Sequence, residues 1–214
     1  MELLWRVLPS LIKGSQMTLL VFFVTLVVSL PLGLLLGHIA YTGPKWLQRL
    51  LAFLVWVIRG TPLMLQLMIV FFGLPLAFPG VIVNRLPAAL IAFAINYTAY
   101  FIEIFRGGFA DVPVGQGEVA FVLGFNKWET LLYVTIPQVF KKTLSAIGNE
   151  VMTLIKDTSL VYVIGLADIM KVGKAAVMRE VSMLPFVGVS LFYLCMTFIF
   201  TLLFRYIEGK MTYE

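Results

Sequence analysis

Residues 14–44, GSQMTLLVFFVTLVVSLPLGLLLGHIAYTGP, contain no Asp, Glu, Lys or Arg. A helix crosses the hydrocarbon core of a bilayer with about 20 apolar residues, and this run exceeds one crossing. It is too long for a signal-peptide core and lacks a small-residue cleavage site after it, so it reads as a retained span, centred on 18–40. Pro31 and Gly33 are the expected bend points. The composition agrees: 61% of the 214 residues are hydrophobic and only 13% are charged. A soluble domain of this size needs more polar surface than that. The chain reads as one membrane domain, 1–214, in contact with lipid.

Outward from this run, Tyr41-Thr-Gly-Pro44 marks a turn, and a second span is expected over 47–74. Pro75, Pro79 and Gly80 then suggest a loop up to Arg85. A third span covers 86–105, with Arg106-Gly107-Gly108 expected to end it, and a long polar loop follows to Lys142. A fourth, less apolar span covers 144–166, a partly amphipathic connector 167–181, and a fifth span 184–206. The expectation is an all-α membrane protein of about five transmembrane helices. Eight Lys and Arg (Lys45, Arg49, Arg106, Lys127, Lys141, Lys142, Arg205, Lys210) lie on the side of the 106–142 loop. Six (Arg6, Lys13, Arg85, Lys171, Lys174, Arg179) lie on the other. The positive-inside rule narrowly favours a cytoplasmic 106–142 loop.

Net charge is +5, which in such a chain reflects loop orientation and lipid headgroups. No basic cluster interleaved with aromatics suggests a nucleic-acid partner. Cys195 is the only cysteine, so no intrachain disulfide is possible, and in its apolar run it reads as a small hydrophobe. His38 is the only histidine and lacks neighbours at metal-ligand spacing.

Polar residues inside apolar spans are costly and point to function. Arg59-Gly60-Thr61-Pro62 breaks the second span; Thr61 and Pro62 are expected to cap and restart a helix whose positive end faces an anion. Irregular backbone at that depth normally lines a cavity or protein interior. Asn96, Tyr100 and Glu103, spaced by four and three, form a polar stripe on the third span. Glu150 and Asp157, seven apart, share a face of the fourth, with Lys156 available to pair with either. These groups either touch a polar solute or form internal networks. Within the long loop, residues 118–137 read EVAFVLGFNKWETLLYVTIP. Glu118–Leu123 is helix-prone with Glu118 in its first turn, Gly124 suits a left-handed cap, and Phe121, Phe125 and Trp128 offer apolar knobs.

Glu118-x-Ala120-x3-Gly124-x9-Val134-x-Ile136-Pro137 resembles the EAA loop of ABC importer permeases, E-A-A-x3-G-x9-I-x-L-P, with Val119 and Val134 as conservative departures. Four further blocks resemble the polar amino acid branch of that family. They are Arg59-Gly60-Thr61-Pro62-Leu63-x-x-Gln66, Tyr100-x-x-Glu103-x-x-Arg106-Gly107-Gly108, Val112-Pro113-x-Gly115-Gln116, and Gly148-Asn149-Glu150-x3-Leu154-x-Lys156-Asp157-Thr158-Ser159-Leu160. Together the matches cover most of 59–168.

The resemblance implies a type I ABC importer permease fold with a cytoplasmic coupling helix in a loop at about 112–138. It implies residence in a bacterial plasma (inner) membrane and assembly as a homo- or heterodimer. Two ATPase subunits would contact Gln116, Glu118, Ala120, Phe121, Gly124 and Phe125. An external solute-binding protein would deliver a polar amino acid. Along the path the implied residues are Arg59, Thr61, Gln66, Asn96, Tyr100, Glu103, Asn149, Glu150, Asp157 and Thr158. The chain itself would hold no cofactor: it lacks a G-x4-G-K-[ST] phosphate loop, so ATP and magnesium would belong to the partner. The alternatives are a stand-alone secondary transporter, disfavoured by the lack of an internal repeat, and an intramembrane enzyme, for which no nucleophile–base set is present.

Overall fold

The computed structural model describes residues 2–212, and every regular element among them is helical. In chain order these are α1 (Glu2–Thr42), α2 (Lys45–Arg59), α3 (Leu63–Met68), a π-helical stretch (Ile69–Gly73) and α4 (Leu74–Ala77). Next come α5 (Arg85–Ala110), α6 (Val114–Val122), the single turn α7 (Lys127–Glu129) and a second π stretch (Thr130–Thr135). The chain ends with α8 (Ile136–Asp157), a 3-10 stretch (Thr158–Ile164), α9 (Ile169–Glu180) and α10 (Leu184–Thr212).

α1, α5 and α10 are long and apolar enough to cross a bilayer. α2 and the 63–77 segment make one broken span, bent by 97° at Gly60–Pro62. α8 carries Lys141, Lys142, Glu150, Lys156 and Asp157 and is amphipathic rather than uniformly apolar. It buries Val139, Ile147, Val151, Leu154 and Ile155 in the bundle. The five expected crossings are thus three uniform helices, one bent pair and one polar-faced helix.

Several boundaries differ from the sequence reading, each for a packing reason. α1 continues through Pro31 and back to Glu2, because Val7 and Leu11 join a small core with Ile169, Ala176 and Val189 of α9 and α10. α5 runs through Arg106-Gly107-Gly108 instead of ending there. Arg106 ion-pairs back to Glu103 at 2.6 Å, and Gly108 lies tight against Thr143 and Val139 of α8. Helix also continues past Pro75 to Ala77. Both π stretches end two residues before a proline, Pro75 and Pro137. A proline ring clashes with the carbonyl four residues back, here Phe71 or Tyr133, and widening the preceding turn relieves it. The fourth span tightens into a 3-10 helix after Asp157.

The most extensive helix pair is α1 with α5. Ser29, Gly33 and Gly37 repeat every four residues and form a small-residue seam along it. Ser29 Oγ donates to the Ala94 carbonyl at 3.2 Å. A Cβ on Gly33 would overlap that of Phe101, and one on Gly37 would sit 2.8 Å from that of Phe105. Gly33→Leu should therefore wedge the pair apart and cost about 2–3 kcal/mol. The readout is thermal unfolding and monodisperse yield of purified protein. Gly107→Ala, which meets nothing within 4 Å, should leave both unchanged.

At the opposite end from α6, Asp168 caps α9 by accepting from the Met170 and Lys171 amides, and Ile169 N–H donates to Thr18 Oγ1 of α1. Asp168 is fully buried, and that burial pushes its carboxyl up to about 6 against the pull of those amides.

Candidate functional site

The break between α2 and α3 opens onto a cavity of about 500 Å³. α2 ends at Arg59, and Gly60 donates to the Trp56 carbonyl at 2.9 Å. Thr61 does not cap the next helix as expected. Its Oγ1 donates backwards to the carbonyls of Val57 (3.0 Å) and Ile58 (3.3 Å), closing α2, and Pro62 takes the N-cap position of α3 without a side-chain bond. Gln66, one turn into α3, spans the break. Its Nε2 donates to the Ile58 carbonyl at 2.7 Å and to Thr61 Oγ1 at 2.8 Å. Its Oε1 accepts from Asn96 Nδ2 of α5 at 3.0 Å. The kink is thus held by side-chain bonds to otherwise unpaired backbone groups, which backbone at membrane depth requires.

Arg59, Thr61, Asn96, Tyr100, Glu150 and Asp157 all line this cavity. They come from α2, the break, α5 and α8. The Arg59 guanidinium lies 5.0 Å from the centre of the Tyr100 ring, a cation–π stack that holds it over the cavity. Glu150, Thr153 and Asp157 lie on one face of α8, at spacings of three and four. Tyr97, fully buried on α5, donates its hydroxyl to Asp157 Oδ2 at 2.8 Å and fixes that carboxyl. The cavity therefore presents one guanidinium and two carboxyl groups, joined by amide and hydroxyl groups. Such a set suits a small polar solute carrying both charges.

Four implied path residues lie elsewhere. Gln66 stands behind the wall, acting through Asn96 and Thr61. Glu103 is turned to Arg106 one turn along α5. Asn149 is exposed outside the cavity, and Thr158 is buried with its hydroxyl on the Ile155 carbonyl at 2.7 Å. No salt bridge joins Lys156 to Glu150 or Asp157 among the described residues; Lys156 faces a separate groove with Ser159, Ser190 and Tyr193. Sequence reasoning missed Tyr97 and Thr153. Their signal was available: Thr153 falls on the Glu150–Asp157 face, and Tyr97 is a hydroxyl-bearing residue next to Asn96 in a membrane span.

A second candidate surface lies beyond the other end of α5. α6 starts at Val114, so Glu118 stands in its second turn rather than its first, exposed to solvent. The helix ends at Gly124, whose φ is +84°. Gly124 N–H donates to the Phe121 carbonyl and Phe125 N–H to the Ala120 carbonyl, both at 3.0 Å, which is the Schellman pattern. Ala120 is buried, so it seats α6 on its own chain rather than facing a partner; α6 packs on the 130–135 stretch. Gln116 Oε1 accepts from Gln138 Nε2 at 3.3 Å, tying α6 to α8. Asn126 and Glu129 form a reciprocal capping box that starts α7. Outward stand Val119, Phe121, Val122 and Leu123, with Phe121 79% exposed, and Trp128 and Tyr133 beside them. Apolar residues grouped this way on a polar loop mark a protein contact.

A helical membrane bundle with a polar cavity at a helix break and an apolar knob at one end defines a permease subunit. Residues 29–213 match the family described as binding-protein-dependent transport system inner membrane component, and the chain belongs to that family. It is 35% identical over 210 residues to the glutamine transport system permease protein GlnP of Escherichia coli K12, covering 97% of this chain and 95% of that one. It is 34% identical over 205 residues to the arginine transport system permease protein ArtQ of Bacillus subtilis 168, covering 95% and 93%. A solved structure described as an amino acid ABC transporter with histidines superposes with a TM-score of 0.85 at 31% identity, covering 97% of this chain and 96% of that one. The resemblance read from residues 59–168 and the permease fold it implies agree with this membership.

Proposed function

We propose that this chain is the membrane-spanning half of an ATP-driven importer of polar amino acids. The observation that carries the reading is the cavity at the α2–α3 break, where Arg59 stands with Glu150 and Asp157. Arg59 receives the substrate carboxylate; Glu150 and Asp157 receive its ammonium or a cationic side chain; Asn96, Tyr100 and Thr61 supply neutral contacts. Gln66 and Tyr97 position this set. Glu103, Asn149 and Thr158 serve other conformations or the bundle itself. The glutamine and arginine systems named for two relatives support a polar amino acid.

The chain works as a homo- or heterodimer, with α6 on the cytoplasmic side. Separate ATPase subunits bind ATP and magnesium and seat α6 through Phe121 and its apolar neighbours. Closure of the ATPase pair moves the two α6 helices, and the bundle exchanges outward for inward access. A solute-binding protein presents the substrate from outside.

Reconstitution of the purified permease–ATPase complex in vesicles tests this. Uptake of labelled polar amino acids is expected to require ATP and binding protein, and to stop when the ATPase is omitted. Accumulation by the permease alone, driven by an ion gradient, would replace this reading with that of a secondary carrier.

A further inference from the structure

Arg85, Lys171 and Lys174 form an uncompensated basic patch at the end of the bundle opposite α6. Arg85 is the first residue of α5, and 26 residues of helix, about 39 Å, separate it from the α6 end. Lys171 and Lys174 are three apart on the first turns of α9 and share a face. The patch is organised around Gly165, which takes φ +80° to close the 3-10 stretch. Lys171 Nζ donates to the Gly165 carbonyl at 2.6 Å. A Cβ placed on Gly165 would lie 3.3 Å from Arg85 Nε and 3.7 Å from Lys171 Nζ, so both cationic heads converge on this turn. Lys174 Nζ lies 5.5 Å from the centre of the Tyr162 ring in the same stretch.

All three cations are exposed, and no carboxylate pairs with any of them among the described residues. Asp168 is buried and engaged with backbone amides, so it offsets Lys171 from a distance only. Glu180, at the far end of α9, is shared by Arg6 and Arg179. The positive-inside rule disfavours Lys and Arg at an outward end, and these three narrow the charge asymmetry of the whole chain. Cations fixed by a glycine turn and an aromatic face, against that bias and without acidic neighbours, suit an acidic partner.

We infer that Arg85, Lys171 and Lys174 are the electrostatic docking contact for an acidic patch on the solute-binding protein. The inference rests on the importer reading and adds to it the place and sign of the contact. Charges at an interface rim act mainly on association rate and salt dependence, so the patch steers delivery while the cavity selects the solute.

The test uses the full complex with its ATPase, in phosphatidylcholine vesicles, with the substrate-loaded cognate binding protein titrated in at low and high salt. For R85Q/K171Q/K174Q, the binding-protein concentration giving half-maximal ATP hydrolysis should rise about tenfold at low salt. Its salt dependence should flatten, with the maximal rate and ATPase co-purification unchanged. Equal half-maximal concentrations and equal salt slopes for wild type and variant would overturn the docking surface alone. An effect that appears only when anionic lipid is added would reassign the patch to headgroups and overturn it too. A wild-type complex whose hydrolysis ignores the binding protein would sink the importer reading and this surface together.

Discussion

Asp157→Asn is expected to give a transporter that assembles normally and takes up its substrate at least about tenfold less well. The substitution isolates charge from shape. The Tyr97 hydroxyl, 2.8 Å from Asp157 Oδ2, still finds an acceptor in the amide oxygen of the variant, so the α5–α8 contact survives. What is lost is a charge-assisted bond to a substrate ammonium, worth about 1.5–3 kcal/mol, or roughly ten- to hundredfold in affinity. The measurement is the substrate concentration giving half-maximal uptake, beside the yield and melting temperature of the purified complex. Tyr97→Phe supplies the contrast: it keeps the carboxylate but frees it to rotate, and costs less. Unchanged uptake for Asp157→Asn, with a wild-type substrate profile, would return the Tyr97–Asp157 pair to a purely structural role.

The polar groups of this cavity were largely legible in the sequence because membrane burial makes them conspicuous. Arg59, Thr61, Asn96, Tyr100, Glu150 and Asp157 each interrupt apolar sequence, and the structure gathers all six around one space. Helical spacing alone did not separate Glu103 from that set. Its partner, Arg106, is one turn further on, and the choice between an ion pair along the helix and the cavity depends on how α5 is rotated in the bundle. Thr61 shows the same limit at shorter range. As a residue type it fits an N-cap, yet its hydroxyl satisfies carbonyls at the end of α2, because Pro62 leaves those groups, and not α3 amides, in need of a partner.

Helix ends were the least legible feature. Gly-rich Arg106-Gly107-Gly108 reads as a stop from propensity, but Gly108 is where α8 comes closest to α5, and the tight contact keeps the helix going. The N-terminal turns of α1 gain their order from α9 and α10, which no local pattern announces. The two π stretches were readable in principle, since each precedes a proline inside continuing helix. The small-residue seam Ser29, Gly33, Gly37 was readable too, as a four-residue repeat; bend propensity drew attention to Gly33 for the wrong reason.

Phe121→Asp is expected to abolish ATP-driven uptake, to below about a tenth of wild type, while membrane insertion and permease yield stay normal. Phe121 is 79% exposed, so the permease alone gains nothing from its ring. A docked ATPase gains the burial of that ring, about 2–3 kcal/mol, and an aspartate there adds the cost of desolvating an unpaired charge. The sum exceeds roughly a hundredfold in affinity. Gly124→Val reaches the same interface indirectly. The φ of +84° at Gly124 suits glycine, and a β-branched residue there strains the Schellman closure by roughly 1–3 kcal/mol. That strain would swing Phe121 and Leu123 out of register without removing either, giving a milder loss than Phe121→Asp. Ala120→Glu differs from both: Ala120 is buried against the chain itself, so that change should lower permease yield as well. Co-purification of the ATPase, counted against permease recovered, separates the three. ATPase retained at wild-type ratio with Phe121→Asp, together with normal uptake, would mean that α6 is not the seat of the motor.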